Sequence, residues 1–388
     1  AGPAGPTHPA SRTTGTAPHR QKRTDVNHTR PSGQSGADAL AARIAALRSA
    51  MPRTPLVQLA DERLDLFAKL EFSNPNGSSK DRSAFWILKQ AIERGDITAD
   101  STVVESSSGN FAISLASFCR ALGIDFVPVI DPNVNASTEA YLRMVCPRVE
   151  KVTRRDASGG YLATRLERVR ELVAAIPGAY WPDQYANTDA VEAHRTLTGG
   201  ELCDTLPRLD HLFVGVSTGG TVAGLSRRVK GAFPGVRVIA VDAEGSAIFG
   251  RPPRVRRIPG LGSSMVPPLV REAVIDDVVI VPEAEAADGC HRLLRRHGLY
   301  CGGSTGSVYA AIGRYFAGRV LASRPTVAFL CADRGQAYAD TIYDPAWRAE
   351  HLGTTGPLPE SVPATAPALA DAAPDVPTAL DGLAALSG

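Results

Sequence analysis

The apolar residues of this chain fall into short runs that alternate with amphipathic stretches. The runs rich in β-branched and aromatic residues predict strands at 101–106, 125–130, 148–153, 211–216, 237–242, 277–281 and 326–332. Apolar residues at helical spacing predict helices at about 81–94, 110–122, 136–145, 160–175, 221–233, 283–297 and 306–318. Because strands and helices alternate, the pattern indicates an α/β fold whose mostly parallel sheet is covered by helices on both faces.

Three loops between these elements have an unusual composition. They are SSSGN at 106–110, STGGT at 217–221 and CGGSTGS at 301–307. Ligands of parallel sheets bind on the loops that lead from strands into helices, where free N–H groups and the helix dipole attract anions. Ser, Thr and Gly also cap helices and form tight turns, so each loop by itself is open to either interpretation.

Lys80 is the candidate for covalent chemistry. It lies between the small-residue turn NPNGSS and a predicted amphipathic helix. Enclosure and the positive end of a helix dipole both lower the pKa of an amine, as a lysine that forms a Schiff base requires. The alternative is a solvated lysine beside Asp81 and Arg82.

Composition narrows the class of protein. The chain has 388 residues, of which 44% are hydrophobic, enough for a large core in two domains or in one large α/β domain. Its 42 basic and 40 acidic side chains give a net charge of +2, which indicates neither a nucleic acid nor a membrane surface as partner. The 6 cysteines lack the spacing of a metal site or a disulfide framework, so we expect reduced thiols, no metal and a cytoplasmic location.

The two ends of the chain differ from the rest. Residues 1–36 are rich in Pro, Gly and Thr, and residues 353–388 are rich in Ala and Pro. Such segments bury too little apolar surface to offset the entropy of ordering, so both are predicted to be disordered. The predicted folded body is 37–350.

Taken together, the motifs resemble the fold-type II pyridoxal-phosphate enzymes of the cysteine synthase and cystathionine β-synthase family. The segments that carry the resemblance are PRTPLVQL (52–59), NPNGSSKDR (74–82), SSSGN, DQYAN (183–187), GVSTGGT (215–221), IPGLGSSMVP (258–267) and CGGSTGS. The resemblance implies a tryptophan synthase β-like fold of two three-layer αβα domains, with pyridoxal 5'-phosphate in the cleft between them. The smaller domain, about 80–185, would be inserted in the larger one. A homodimer that acts on small amino acids is also implied.

The resemblance also implies a role for each candidate residue. Lys80 is the catalytic residue, which binds the cofactor as a Schiff base and later removes the substrate α proton. The other cofactor contacts are Asn110 to the 3' oxygen, Ser304 to the pyridine nitrogen, and Ser217, Thr218, Gly219, Gly220 and Thr221 to the 5' phosphate. The substrate contacts are Ser107, Ser108, Gly109, Gln184 and Tyr185. A neutral hydroxyl at the ring nitrogen makes the cofactor a weaker electron sink, which favours loss of a β leaving group.

Departures from the family pattern indicate the substrate. Ser217 stands where O-acetylserine enzymes usually have Gly, and Tyr185 where Phe is common, so two hydroxyls are added near the leaving group. The stretch 241–267, which contains four arginines at 251, 254, 256 and 257, resembles the branch that joins O-phospho-L-serine to L-glutamate. The arginines are candidates for attracting these anionic substrates, or else form a solvated basic loop.

The predicted reaction is therefore a β-replacement that passes through an aminoacrylate and yields N-(1-amino-1-carboxy-2-ethyl)-L-glutamate and phosphate. In the resembling branch this is the first step of 2,3-diaminopropionate biosynthesis for siderophores or antibiotics. The main alternative is a cysteine synthase that uses O-acetylserine or O-phosphoserine with sulfide. A dehydratase and a cofactor-binding protein without turnover are the other two.

Overall fold

The computed structural model of the protein describes residues 1–2, 36–157 and 159–353. The predictions of disorder at 1–36 and 353–388 fall almost entirely outside the described residues. From Gly36 onward the described residues belong to one compact unit. No helix in the described part is long and apolar enough to cross a membrane.

The strands of the described residues form two sheets. They are β1 Leu56–Leu59, β2 Asp65–Lys69, β3 Thr102–Ser106, β4 Asp125–Ile130, β5 Glu150–Lys151, β6 Ala179–Tyr180, β7 His211–Gly215, β8 Arg237–Ala243, β9 Asp277–Val281 and β10 Thr326–Leu330. The six-stranded sheet has the order β1-β2-β10-β7-β8-β9, and only its β1-β2 pair is antiparallel. The four-stranded sheet has the order β5-β4-β3-β6 and is parallel throughout.

Helices connect these strands. They are α1 Gly36–Ser49, α2 Lys80–Arg94, α3 Asn110–Leu122, α4 Ala136–Val145, α5 Leu162–Ala175, α6 Asp189–Ala193, α7 Gly199–Thr205, α8 Gly220–Ala232, α9 Glu283–His297, α10 Gly303–Phe316 and α11 Pro345–His351. A π-helical turn, His194–Thr198, joins α6 to α7. Short 3-10 segments lie at Glu71–Ser73, Pro268–Glu272 and Gly335–Tyr338.

Each sheet is buried between two helix layers. On one face of the six-stranded sheet, α9 and α10 pack through side chains such as Leu293 and Ile312, and on the other face α7 and α8 pack through Leu202 and Val229. The four-stranded sheet packs against α2 and α3 on one face, while α5 covers the other through residues such as Val169. Because both faces are covered, the central strands β3, β4, β7 and β10 are largely buried, although β3 also buries the polar residues Glu105 and Ser106.

The structure confirms the predicted α/β fold with mostly parallel sheets. The bounds of β4, β9, α3, α4 and α9 agree with the prediction to the residue. The division of the body into an inserted smaller domain at about 80–185 stays a prediction.

The differences from the predicted elements have physical reasons. β2 was not predicted because DLFAK places charged residues at both ends, and its Lys69 is buried by pairing with Glu201. The α6 to α7 stretch was missed because it carries Thr and a Gly pair where a helix usually has strong helix formers. α10 begins at Gly303 rather than 306, so Ser304 lies in the first helical turn instead of a preceding loop.

Candidate active site

A cavity of about 200 Å³ lies where the carboxyl ends of β3, β7 and β10 approach the first turns of α2, α3 and α8. It brings together the predicted residues Lys80, Ser107, Ser108, Gly109, Asn110, Gln184, Tyr185, Ser217, Thr218, Gly219, Thr221 and Ser304. Gly220 does not line it and instead borders a second cavity of about 10 Å³, which shares Lys80, Gln184, Thr218 and Thr221 with the first. The motifs are distant in the sequence, and the fold places them around one space.

Lys80 is the first residue of α2 and faces the cavity. Burial lowers the pKa of its ammonium group, while the nearby carboxylate of Asp333 opposes that shift. A lysine amine with a lowered pKa is neutral in a larger fraction of molecules, which suits both a nucleophile and a base. The half-buried position of Lys80 at the cavity agrees with the enclosure predicted for it rather than with a fully solvated lysine, and its catalytic role stays a prediction.

Asp333 is a site residue that sequence reasoning missed. Its Oδ2 accepts hydrogen bonds from Asn110 Nδ2 at 2.8 Å and from the Tyr338 hydroxyl at 2.7 Å. Its Oδ1 is buried and has no hydrogen-bond partner among the described residues. Burial raises the pKa of this carboxyl. It follows a buried strand as part of ADRGQ, and nothing in that stretch distinguishes it from an ordinary turn aspartate.

We call residues 217–221, at the start of α8, the anion loop. Gly219 has φ +96°, and a Cβ there would lie 2.6 Å from Val270 N, so only glycine fits this tight approach. The Ser217 hydroxyl donates to the Gly262 carbonyl oxygen at 3.2 Å, which ties the loop to the segment opposite. The first turn of α8 leaves backbone N–H groups unpaired within the helix, and these are the donors that a phosphate binds.

Hydrogen bonds of Ser107 and Ser108 hold the SSSGN loop in place. Ser107 Oγ accepts hydrogen bonds from the backbone N–H of Ala112 at 3.2 Å and of Gly109 at 3.4 Å, so it caps α3. Ser108 Oγ donates to Asp131 Oδ2 at 3.1 Å. The capping interpretation left open for this loop is therefore correct for the Ser107 hydroxyl, although the residue also lines the cavity.

Arg165 brings a guanidinium group, paired with the carboxylate of Asp131, into the cavity wall. It lies on α5, its side chain is 12% exposed, and Nη1 is 3.0 Å from Ser108 Oγ and 3.2 Å from Asp131 Oδ2. Its charge acts on Tyr185, where it opposes the increase in phenol pKa that burial causes. The sequence did not reveal Arg165, because it is one of several arginines on an ordinary amphipathic helix.

The four arginines predicted to attract substrate lie outside the lining of the cavity. Arg251, Arg254 and Arg257 are exposed. Arg256 is half-buried and donates to the Gly245 carbonyl oxygen at 2.6 Å. A role in long-range steering stays a prediction, and direct pairing within the cavity has no support in this geometry.

Glu105 links the start of the SSSGN loop to the DQYAN loop. Its carboxylate accepts hydrogen bonds from Ser106 N at 2.7 Å, Gln184 N at 3.3 Å and Trp181 Nε1 at 3.4 Å. Burial, with a smaller contribution from Asp183, raises the pKa of Glu105 to about 8. Gln184 Nε2 donates in turn to the Ser106 carbonyl oxygen at 3.1 Å, so Glu105 holds β3 and the DQYAN loop together.

We expect the raised pKa of Glu105 to make stability depend on pH. Between the ordinary pKa of a glutamate, about 4.3, and about 8, the folded protein keeps a proton that the unfolded chain has lost. Stability at this site therefore falls as pH rises through that window. In urea titrations at pH 6 and 8, the free energy of unfolding should fall less with pH for Glu105→Gln than for the unmodified protein. Equal slopes would contradict the assignment.

The residues around the cavity fit pyridoxal 5'-phosphate. A lysine amine with a lowered pKa can bind its aldehyde, the anion loop suits its phosphate, and Asn110 and Ser304 supply an amide and a hydroxyl for polar atoms of its ring. No cluster of side chains suited to holding a metal ion was found among the described residues.

Comparison with known proteins agrees with this geometry. The family model described as "Pyridoxal-phosphate dependent enzyme" matches residues 47–333. The chain is 46% identical to the N-(2-amino-2-carboxyethyl)-L-glutamate synthase of Ralstonia nicotianae over 302 residues, which cover 76% of this chain and 88% of the relative. It is 44% identical to the protein of that name from Cupriavidus metallidurans over 307 residues, covering 76% and 89%.

A solved structure is similar as well. The O-acetylserine dependent cystathionine beta-synthase of Helicobacter pylori superposes with a TM-score of 0.70 at 26% identity, covering 77% of this chain and 98% of that one. The region that the family model matches, 47–333, contains all the residues that line the cavity.

Proposed function

The chain belongs to the pyridoxal-phosphate dependent enzyme family, and from that premise we propose that it joins O-phospho-L-serine to L-glutamate. The products are phosphate and N-(2-amino-2-carboxyethyl)-L-glutamate. This compound is the same as N-(1-amino-1-carboxy-2-ethyl)-L-glutamate. The names of the two relatives support this choice. So does one observation in the cavity, namely that Arg165 lines it together with the hydroxyl-bearing residues Tyr185 and Ser217.

A cation at this place favours a phosphate leaving group over acetate. The departing phosphate carries up to two negative charges and several acceptor oxygens, and an arginine fork pairs with such a group more strongly than a neutral donor does. Arg165 is largely buried, so its charge is screened by less water than a surface arginine would be. Its Nη1 pairs with Asp131, which fixes its orientation, while its buried Nε has no hydrogen-bond partner among the described residues.

The residues of the chain divide the work of the reaction between them. When bound, pyridoxal phosphate supplies an electron sink for breaking bonds at the substrate Cα and Cβ. The Lys80 Nζ, whose pKa burial lowers, accepts the α proton. The start of α3 offers backbone N–H groups to the α-carboxylate of the substrate, and Glu105 and Gln184 keep this loop in place. Arg165 and Tyr185 bind the leaving phosphate. The amine of L-glutamate then forms the new bond at Cβ and loses a proton to solvent, while Lys80 returns the α proton to Cα.

The proposed function is tested by a phosphate-release assay with O-phospho-L-serine, run with L-glutamate, with sulfide and with neither, followed by mass spectrometry of the products. An adduct that requires glutamate supports the proposal. Cysteine formed from sulfide without a glutamate adduct would instead make the protein a cysteine synthase, and pyruvate formed without a second substrate would make it a dehydratase.

We predict that Arg165→Gln lowers kcat/KM for O-phospho-L-serine by about 10- to 100-fold, the usual value of a hydrogen bond to a charged group. With O-acetyl-L-serine in the same assay, the change should stay within about threefold, because acetate makes less use of the charge. Arg168→Gln, on the same helix and paired with Glu150 and Glu171 at the surface, is the matched control and should leave both values unchanged. An equal loss with both substrates would mean that Arg165 only supports the SSSGN loop.

We also propose a cytoplasmic location and a homodimer, as the sequence predicts. All six cysteines are free, which is typical of proteins in a reducing compartment. Size-exclusion chromatography with light scattering tests the dimer, and fractionation of cells tests the location.

A further inference from the structure

Behind the anion loop, three side chains form a continuous hydrogen-bonded row. His194 Nδ1 is 3.0 Å from Thr198 Oγ1, and His194 Nε2 is 3.2 Å from Thr221 Oγ1. His194 and Thr198 are 1% and 0% exposed, whereas Thr221 lines the main cavity. The row therefore begins in the core and ends at a hydroxyl that faces the cavity where the cofactor phosphate is expected.

The histidine in this row is neutral. Burial lowers the pKa of His194 to about 3, and the positive charges of Lys80 and Arg82 add to the shift. A neutral imidazole has one N–H donor and one nitrogen acceptor, so its two hydrogen bonds must run in opposite senses. The tautomer consequently decides in which direction protons are donated along the whole row.

Only one of the two His194 tautomers leaves the Thr221 hydroxyl free to donate a hydrogen bond to an anion. With the proton on Nε2, His194 donates to Thr221 Oγ1, Thr198 donates to Nδ1, and the single Thr221 hydroxyl proton is left for the anion. With the proton on Nδ1, Thr221 must donate to Nε2, and it then presents only lone pairs to the cavity. A negatively charged group in the anion loop therefore selects the tautomer protonated on Nε2.

The backbone holds this row at a fixed spacing. His194 and Thr198 lie in the π-helical turn, where Gly199 N donates to the His194 carbonyl oxygen across five residues. On α8, Gly224 lies one turn after Thr221, and a Cβ there would overlap the Val191 carbonyl oxygen and lie 2.7 Å from Arg195 N. Because α8 approaches this turn so closely, His194 can reach Thr221 directly.

We propose that Thr198 and His194 are positioning residues that orient the Thr221 hydroxyl toward the phosphate of pyridoxal 5'-phosphate. The inference rests on the proposed role of the anion loop and is independent of which amino acids react. Its effect is on retention of the cofactor and on the environment of its phosphate.

The test compares holoenzymes carrying Thr221→Val, Thr198→Val, His194→Leu and His194→Gln. The cofactor dissociation constant is measured by equilibrium dialysis, and the chemical shift of its phosphate by ³¹P NMR. We expect the constant to rise about 10- to 100-fold for Thr221→Val and His194→Leu, and about three- to tenfold for Thr198→Val, each with a shifted phosphorus signal. His194→Gln keeps an N–H donor for Thr221 and should stay within about threefold of the unmodified protein. Thr205→Val, on α7 with its hydroxyl donating to the Glu201 carbonyl oxygen, is the matched control and should change nothing.

The outcomes distinguish the anion loop assignment from the positioning role of Thr198 and His194. If Thr221→Val changes neither quantity, the anion loop assignment fails. If Thr221→Val has its effect while Thr198→Val and His194→Leu behave like the control, the positioning role is wrong. ¹⁵N NMR of His194 in the unmodified holoenzyme needs no variant, so misfolding cannot obscure it. A proton on Nε2 supports the proposal, and a proton on Nδ1 overturns it.

Discussion

Replacing Lys80 with alanine is expected to lower kcat by at least about 1000-fold, because the variant loses both the amine that binds the cofactor and the base that accepts the α proton. Phosphate release from O-phospho-L-serine is the assay. The covalent link is checked separately by treating the holoenzyme with borohydride and measuring its mass. The unmodified protein should gain the mass of the reduced cofactor on the peptide that contains Lys80, and the variant should gain none.

Lys89 provides the matched control for this experiment. It lies on the same helix, α2, where it pairs with Glu93 at 2.7 Å on the surface. Lys89→Ala should keep full turnover and the mass gain. If Lys80→Ala still carried the cofactor after borohydride treatment, another lysine would be the attachment site. If it turned over normally, the protein would not use a lysine base.

The second large effect is expected on stability, at the buried charge Arg82. Its side chain is 0% exposed, with Nη2 at 2.9 Å from Glu201 Oε2 and Nε at 3.2 Å from Glu71 Oε2. Lys69 Nζ also contacts Glu201 Oε2, at 2.6 Å, so two cations balance two carboxylates in the core. Arg82→Met removes one cation and leaves buried negative charge uncompensated, which costs about 3–5 kcal/mol in comparable sites.

Urea titration monitored by circular dichroism measures this loss as a decrease in the free energy of unfolding. Arg94→Met, on the same helix but half-exposed in its pairing with Asp96 and Asp189, is the control and should change the free energy by less than about 1 kcal/mol. Adding Glu71→Gln to Arg82→Met should recover part of the stability, since it removes one of the unpaired charges. If the single variant were as stable as the control, Arg82 would not be holding the carboxylates.

Lys80 and Arg82 lie on the same helix, α2. Arg82 lies two residues after Lys80, and its bonds reach the segment before α2 through Glu71 and α7 through Glu201. The buried charges therefore fix the N-terminal turn of α2, which carries the reactive amine. Thr54 joins the same network, since its hydroxyl donates to Glu71 Oε1 at 2.7 Å. The start of α2 is consequently tied to several elements that are far away in the sequence.

The sequence by itself determined the fold class, most element bounds and the motifs of the site. A short apolar run predicts a strand that is buried on both faces, and this prediction needs only the residues of that segment. The motifs around Lys80, Asn110, Ser304 and the anion loop are likewise short, and each depends on residues that are close together in the chain. Such motifs can be recognised without knowing which residues pack against them.

Only the tertiary structure revealed Arg165, Asp333, His194 and Glu105 as parts of the same site. Each lies in a segment that looks ordinary on its own, and its role comes from a partner far away in the sequence: Ser108 for Arg165, Asn110 for Asp333, Thr221 for His194 and Gln184 for Glu105. Their charges and pKa values depend on how much water the assembled fold excludes. Local sequence cannot carry that information, because burial and hydrogen-bond partners exist only once the distant segments have come together.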